Sequence, residues 1–104
     1  MFLKKIILVS FILVLSNSAF SDSKMDLGIN VYNNKAQCGV CHTLQAAESS
    51  GVIGPNFDEV HFTMDQIIYA VTNGIGVMPP WEGILTYDEI EAVAYYVFES
   101  TKNN

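Results

Sequence analysis

Two cysteines and a histidine lie within five consecutive residues of this 104-residue chain. Cys38 and Cys41 are the only cysteines, and His42 follows the second one directly. A spacing of three residues puts two thiols about one helical turn apart on the same side of the chain. Such a pair can serve a redox disulfide, half of a zinc site, or two covalent bonds to one rigid molecule.

A zinc site or a redox dithiol fits the rest of the sequence poorly. A structural zinc ion takes four ligands, and beyond the motif the chain adds only His61. His42 also cannot easily share a tetrahedral metal with the adjacent Cys41. A thioredoxin-like dithiol is expected near a βαβ pattern, which this sequence lacks, and it leaves His42 unexplained.

Attachment of haem accounts for all three residues, because Cys-x-x-Cys-His is the motif that binds c-type haem. Each thiol adds across one vinyl group of the porphyrin, and the one-turn spacing matches the distance between the two vinyls. His42 is then carried under the ring, where its Nε2 bonds to iron. The sequence therefore predicts one haem c, bound covalently through Cys38 and Cys41.

The sixth position of the iron decides between electron transfer and ligand chemistry. We predict that Met78 fills it, because this methionine lies in a loop of glycines and prolines where no helix face claims its side chain. Pro79 and Pro80 stiffen the following backbone, and Gly74 and Gly76 are expected to let the loop approach the ring.

Other residues could compete for the iron. His61 is the main alternative ligand, although its position before a helix favours a loop or surface role. Met25 is assigned to the core, and Met64 to packing or partial exposure in the capping turn of the second helix. A haem enzyme or gas sensor with an open sixth position is a further possibility, and it predicts that Met78 is not bound.

The N-terminus has the order of a secretory signal peptide. Lys4 and Lys5 precede an almost unbroken apolar run over residues 6–15, and small residues follow at Ala19 and Ser21. That run is shorter than the roughly 20 residues that span a bilayer, which argues against an uncleaved anchor. We expect cleavage after Ser21, one periplasmic domain over 22–104, and no stable membrane insertion.

The mature chain is strongly acidic. Residues 22–104 hold three lysines, eleven Asp and Glu residues and no arginine, which gives a formal net charge of −8. Such a surface repels nucleic acid and anionic lipid headgroups, so we expect no nucleic-acid partner. A partner that binds it quickly should carry a basic patch, although acidity that only keeps an exported protein soluble explains the composition equally well.

Three helices are predicted, over about 24–34, about 64–73, and from the capping box at Thr86 to about Ser100. Ser23 is the expected N-cap of the first and Thr63 that of the second. Gly28 lies within the first helix, where glycine costs about 1 kcal/mol relative to alanine, so we expect another helix to approach it closely. Three short helices supply a thin core, which a haem would complete.

The order of the motifs resembles that of a class I monohaem cytochrome c. The shared features are the haem-attachment motif, a Gly-Pro step, a Met-Pro step in a glycine-rich loop and an aromatic C-terminal helix, here at 38–42, 54–55, 78–79 and 86–100. The resemblance covers essentially the whole mature chain. Within that family, "CGVCHTL", "GVIGPNFD", "AVTNGIGVMPPWEG" and "LTYDEIEAVAYYV" are similar to the small cytochrome subunit of bacterial sulfite dehydrogenases.

The resemblance implies an all-α, small cytochrome c fold, with three main helices and loops around one covalent haem. In the family the first and last helices cross at a glycine and an aromatic residue, which Gly28 and Tyr32 with Tyr95 or Tyr96 would match. The chain would then be an electron-transfer protein and not an enzyme by itself.

The family also implies roles for residues near the haem. Pro55 would accept the other ring N–H of His42 through its carbonyl group. Trp81 would either donate its indole N–H to a haem propionate or pack on the ring edge, and Asn56 could brace the loop below the haem.

Two functions follow from this resemblance. The first is a diffusible periplasmic carrier that moves one electron at a time, with His42 and Met78 on the iron. The second is the haem subunit of a dehydrogenase, which would show as an exposed apolar patch around the haem edge. Candidate partners are redox proteins such as a molybdenum-containing sulfite dehydrogenase subunit or a terminal oxidase.

Overall fold

The computed structural model describes residues 22–104 of the chain. It contains three α-helices, α1 (residues 22–30), α2 (Met64–Asn73) and α3 (Tyr87–Thr101). Helix α3 packs against α2 and against the segment that follows α1. The expected all-α fold is confirmed. The loops between the helices carry the candidate site residues. The predicted signal peptide, residues 1–21, lies outside the described residues.

Helices α2 and α3 begin at the predicted capping boxes. The Thr63 hydroxyl accepts the N–H of Gln66, and the Gln66 side chain accepts the N–H of Thr63. Thr86 and Glu89 exchange the same two hydrogen bonds at the start of α3. Each box pairs backbone N–H groups that the first helical turn cannot satisfy, which fixes where the helix begins.

Helix α1 differs from its prediction in two respects. Residue 22 is already helical, so Ser23 lies within the helix and is not its N-cap. The chain then continues as a π-helical segment, Val31–Lys35, closed by a hydrogen bond from the N–H of Ala36 to the carbonyl of Val31. The predicted helix, about 24–34, covers most of this segment, but the α-helical period does not distinguish a π-helical turn, which contains more residues than an α-helical one.

Helices α1 and α3 cross at Gly28. A Cβ atom on this residue would lie 2.2 Å from the carbonyl oxygen of Ala92 and 2.8 Å from Cβ of Tyr96. Just beyond the crossing, the rings of Tyr32 and Tyr96 meet edge to face with centroids 5.6 Å apart. The expected contact between a glycine and an aromatic residue is therefore present, and Tyr96 makes it instead of Tyr95.

Short elements fold the chain after α1. Two 3₁₀ turns, Cys38–Val40 and Gln45–Ala47, flank strand β1 (Thr43–Leu44), which pairs antiparallel with β2 (Ser49–Ser50). The sequence predicted no sheet here, because strands of two residues are too short for an alternating pattern. Glu48 reverses the chain between them in the left-handed region, with φ 54°.

The core lies between α3, α2 and the π-helical segment. Its buried apolar residues are Val31, Tyr32, Leu44, Ile67, Val71, Leu85, Ile90, Ala92, Val93, Ala94, Tyr96 and Val97. Most of them belong to α3 or to the segments that face it, whereas the 51–62 loop adds only the partly buried Phe57 and Phe62. Among residues 22–104, no helix is long and apolar enough to cross a membrane.

Every lysine among residues 22–104 is paired with a glutamate of α3, in the ion pairs Lys24–Glu91, Lys35–Glu89 and Lys102–Glu99. The hydrogen bond from Lys35 lowers the pKa of the largely buried Glu89, with help from the backbone N–H of Thr86. Three of the eleven acids of residues 22–104 are thus neutralised. The net negative charge comes from the other eight.

Candidate haem-binding site

A cavity of about 670 Å³ opens between the Cys38–His42 motif, helix α2 and the loop after it. This volume falls in the roughly 300–1,000 Å³ range of cofactor sites. The two cysteines, His42, Pro55, Met78 and Trp81 all line it. The six residues singled out from the sequence therefore face one space, although they come from three separate parts of the chain.

The His42 ring is held in one tautomer. Its Nδ1 lies 2.8 Å from the carbonyl oxygen of Pro55. A carbonyl can only accept a hydrogen bond, so Nδ1 carries a proton, and the free lone pair of the neutral ring is on Nε2. The ring is buried as well, so few positions are open to it. An imidazole in this tautomer is suited to bind a metal through Nε2.

Two neighbours fix the plane of the His42 ring. Phe57 stacks on it with ring centroids 4.3 Å apart and planes inclined by 16°. On Gly54, a Cβ atom would lie 2.4 to 2.9 Å from three atoms of the ring. The Gly-Pro step therefore does two things, because Gly54 makes room for the imidazole and Pro55 accepts its N–H. Phe57 was not predicted, since a single phenylalanine in a loop carries no periodic pattern.

The environment of the thiols does not suit a redox dithiol. Burial raises the pKa of the Cys38 thiol from 9.0 to about 11, so this thiol is protonated at neutral pH. Thiols that exchange disulfides have a pKa lowered to roughly 3.5–7.5. The zinc alternative also lacks support, because the described residues contain no cluster of three or more His, Cys, Asp or Glu side chains that could hold a metal ion.

Met78 lies in a tight turn that follows helix α2, and it lines the same cavity as the attachment motif. Its N–H and carbonyl both bond to Ile75, at 2.9 and 3.1 Å. A Cβ atom on Gly74 would lie 2.6 Å from the Met78 carbonyl oxygen. The close approach at Gly74 is therefore to its own loop, and the predicted approach of Gly76 to the ring stays a prediction. Gly74 lets the loop pack on itself, and Gly76 has φ 58° with open space around it.

Trp81 lies beside Met78 on the cavity wall and is half-buried. Its backbone N–H donates to the carbonyl of Val71 at 2.9 Å, which ties the loop to helix α2. The bond explains how the loop stays over the cavity. Whether its indole binds a haem propionate or packs on the ring edge stays a prediction.

The remaining candidates lie outside the cavity wall. His61 is exposed, and its ring lies 5.5 Å from that of Phe98 on α3. Met25 and Met64 pack against the hydrophobic core. Asn56 accepts the N–H of Asp58 and so shapes the loop locally. Of the methionines among residues 22–104, Met78 is the one that lines the cavity.

The residues present fit a haem. The wall is mainly apolar, as a porphyrin requires, and both thiols of the attachment motif face it. Gly54 leaves space for the imidazole, and the hydrogen bond at Nδ1 leaves Nε2 available to a metal. A haem c in this cavity would also complete the thin core between α2 and the 51–62 loop.

Comparisons with known proteins agree with this geometry. A family model described as "Cytochrome C oxidase, cbb3-type, subunit III" matches residues 23–97. The cytochrome c6 of Tetradesmus obliquus is 34% identical over 88 residues, which cover 76% of this chain and 96% of the relative. The crystal structure of the c-type cytochrome SorU from Sinorhizobium meliloti aligns with a TM-score of 0.72 and 44% identity, over 77% of this chain and 93% of that one.

The chain is a class I monohaem cytochrome c. A second relative, the chloroplastic cytochrome c6 of Chlamydomonas reinhardtii, is 33% identical over 95 residues, or 84% of this chain and 63% of the relative. The cytochrome holds one covalent haem c, through Cys38 and Cys41. It is an electron-transfer protein and not an enzyme.

Proposed function

We propose that this cytochrome is a periplasmic one-electron carrier whose haem iron is bound by His42 and Met78. The observation that carries the proposal is that both side chains line one cavity, while the other histidine and methionines of residues 22–104 do not. The haem supplies the Fe(II)/Fe(III) couple. The chain's own residues hold the iron, exclude water and set which oxidation state is favoured.

Each proposed ligand has a distinct effect. His42 presents Nε2, because its Nδ1–H is committed to Pro55. Met78 offers a soft thioether, which favours Fe(II) and so raises the reduction potential. An apolar wall favours the less charged Fe(II) state for the same reason as any low-dielectric site. Two ligands that stay bound in both states also keep the structural change on electron transfer small.

Replacement of Met78 by alanine tests the ligation. We expect the ferric holoprotein to lose its methionine-to-iron absorption band and its reduction potential to fall, because water or another weak ligand takes the vacant position. His61→Ala is the matched control, since it removes the competing histidine from the surface. It should leave both the band and the potential as in the wild type.

Two results would contradict the ligation. An unchanged ferric spectrum in Met78→Ala would mean that the sixth position is open or filled by another residue. A lost band in His61→Ala, with Met78→Ala unaffected, would identify the histidine as the ligand.

The mouth of the cavity supports a role in docking. Ile53 and Val77 line it and are 66% and 87% exposed, respectively. Exposed apolar side chains beside a redox cofactor suit a short contact with another protein. The net charge of −8 favours a partner with a basic patch.

The same apolar residues favour the second candidate function, the haem subunit of a periplasmic dehydrogenase such as a molybdenum-containing sulfite dehydrogenase. A lasting interface would cover Ile53 and Val77, whereas a carrier would expose them between encounters. A terminal oxidase is a candidate acceptor in either case.

Native size exclusion of a periplasmic extract separates the two functions. We would follow haem absorbance and identify each peak by intact mass. A species with the mass of residues 22–104 plus one haem would establish export, signal cleavage and attachment together. Elution of that species alone supports a carrier, co-elution with a larger cofactor enzyme supports a subunit, and its absence from the periplasm contradicts the proposed location.

A further inference from the structure

The hydroxyl group of Ser49 joins three segments around the haem-attachment motif. Its oxygen lies 3.0 Å from the backbone carbonyl oxygen of His42 and 3.1 Å from the backbone nitrogen of Leu44. It also lies 2.9 Å from the hydroxyl oxygen of Tyr32, in the π-helical segment. Pairing of β2 with β1 brings the serine into this position.

The donors and acceptors at Ser49 can be assigned from their chemistry. The His42 carbonyl only accepts and the Leu44 N–H only donates, whereas a serine hydroxyl has one proton and two lone pairs. Ser49 therefore donates to His42 and accepts from Leu44. Its second lone pair accepts the Tyr32 hydroxyl proton, so the capacity of the group is filled. A second carbonyl, that of Leu44, lies farther away at 3.4 Å.

Packing holds this serine in place from two sides. A Cβ atom on Gly39 would lie 2.6 Å from Cβ of Ser49, so the turn between the two cysteines rests directly on it. Tyr32 is buried and touches Tyr96 of α3 edge to face. The hydroxyl thus connects the crossing of α1 and α3 to the backbone of His42.

We propose that Ser49 is a positioning residue for the iron ligand His42. The inference rests on the proposed function, since it takes His42 as the ligand. Pro55 holds the imidazole ring through Nδ1, and Ser49 holds the backbone from which the side chain departs. With both ends held, the ring keeps one orientation towards the iron. Without the bond from Ser49, the His42 backbone is held through its N–H to the Cys38 carbonyl, so the ring can shift slightly within the space that Phe57 and Gly54 leave it.

The test compares three variants of the holoprotein. Ser49→Ala removes the anchor. Ser50→Ala, the matched control, removes an exposed hydroxyl from the neighbouring position of the same strand. Tyr32→Phe removes one hydrogen bond to Ser49 but keeps the bond from Ser49 to His42, so it separates general loss of stability from loss of the anchor.

Two measurements report on the iron and not on stability. The first is the ratio of ferrous to ferric protein at a fixed ambient potential. We expect Ser49→Ala to change this ratio by up to about tenfold. Loss of a hydrogen-bond partner of a metal ligand typically changes metal affinity or activity by about 10- to 100-fold, and tenfold is the lower end of that range. The second is the pattern of paramagnetically shifted haem-methyl resonances, which follows the orientation of the axial ligands. Both should stay at wild-type values in Ser50→Ala and Tyr32→Phe, although Tyr32→Phe should unfold at lower denaturant.

Wild-type values in Ser49→Ala for both measurements would overturn the inference and leave the proposed ligation intact. Assignment of the shifted imidazole protons of the wild type to His61 would overturn both. If Ser49→Ala yields no holoprotein, the wild-type protein decides. A slowly exchanging Ser49 hydroxyl proton, close to the Leu44 amide by NMR, supports the anchor, and rapid exchange of that proton with water overturns it.

Discussion

A methyl group added at Gly28 would force apart the two helices that cross there. In Gly28→Ala the new Cβ would lie 2.2 Å from the Ala92 carbonyl oxygen and 2.8 Å from Cβ of Tyr96. Non-bonded heavy atoms pack at about 3.5–4.0 Å, so the helices must separate by about 1 Å. Neither neighbour can yield by a rotamer change, because one is backbone and the other a Cβ atom.

The cost of Gly28→Ala can be estimated from two opposing effects. Overpacking at a rigid contact costs about 3 kcal/mol, the upper part of the usual range. Alanine returns about 1 kcal/mol, because glycine is the poorer helix former. The free energy of unfolding should therefore fall by about 2 kcal/mol. For a domain of this size, that loss lowers the melting temperature by about 8–16 °C.

Denaturant unfolding of the holoprotein, followed by far-UV circular dichroism, measures this loss. Gly76→Ala is the control, because its Cβ meets no atom within 4 Å and only its φ of 58° is unfavourable. That change should cost about 1 kcal/mol, from the left-handed backbone alone. A Gly28→Ala protein as stable as the wild type would refute the close crossing of α1 and α3.

Two further changes test the site and its support. Gly54→Ala should displace the His42 ring, because its Cβ would lie 2.4 Å from a ring atom. We expect a lower yield of low-spin holoprotein by absorption spectroscopy. A normal yield and spectrum would contradict the tight contact. Glu89→Gln should flatten the acid side of the pH–stability profile. The hydrogen bond from Lys35 lowers the pKa of Glu89 from 4.5, so the wild type loses stability as the pH falls below about that value and the folded carboxylate takes up its proton. Exposed Glu82→Gln is the control, and equal acid profiles for the two variants would contradict the assignment.

Features encoded by neighbouring residues could be predicted from the sequence. The two capping boxes located the starts of α2 and α3, because Thr63 and Thr86 satisfy the first N–H groups within their own turns. The attachment motif likewise concentrates its chemistry in five residues. The close helix approach at Gly28 followed from the cost of glycine in a helix, whereas its aromatic partner and the hydrogen bond from His42 to Pro55 came from the family resemblance, and all are present.

Features that depend on distant contacts could not be predicted in the same way. Nothing in the sequence around Ser49 indicates that its hydroxyl reaches the His42 carbonyl, because the bond depends on a turn at Glu48 and on two strands of two residues each. The π-helical segment has no periodic signature of its own. The role of Gly74 was assigned to the ring because spacing alone cannot distinguish a glycine that faces a cofactor from one that faces its own loop.

The pairing of every described lysine with helix α3 leaves no lysine of residues 22–104 without a glutamate partner. The other eight acids of these residues therefore set the sign of the electrostatic field around the protein. A cationic protein is attracted by that field before contact. The attraction acts over about 8 Å at physiological ionic strength, so added salt slows the encounter while leaving the haem environment unchanged.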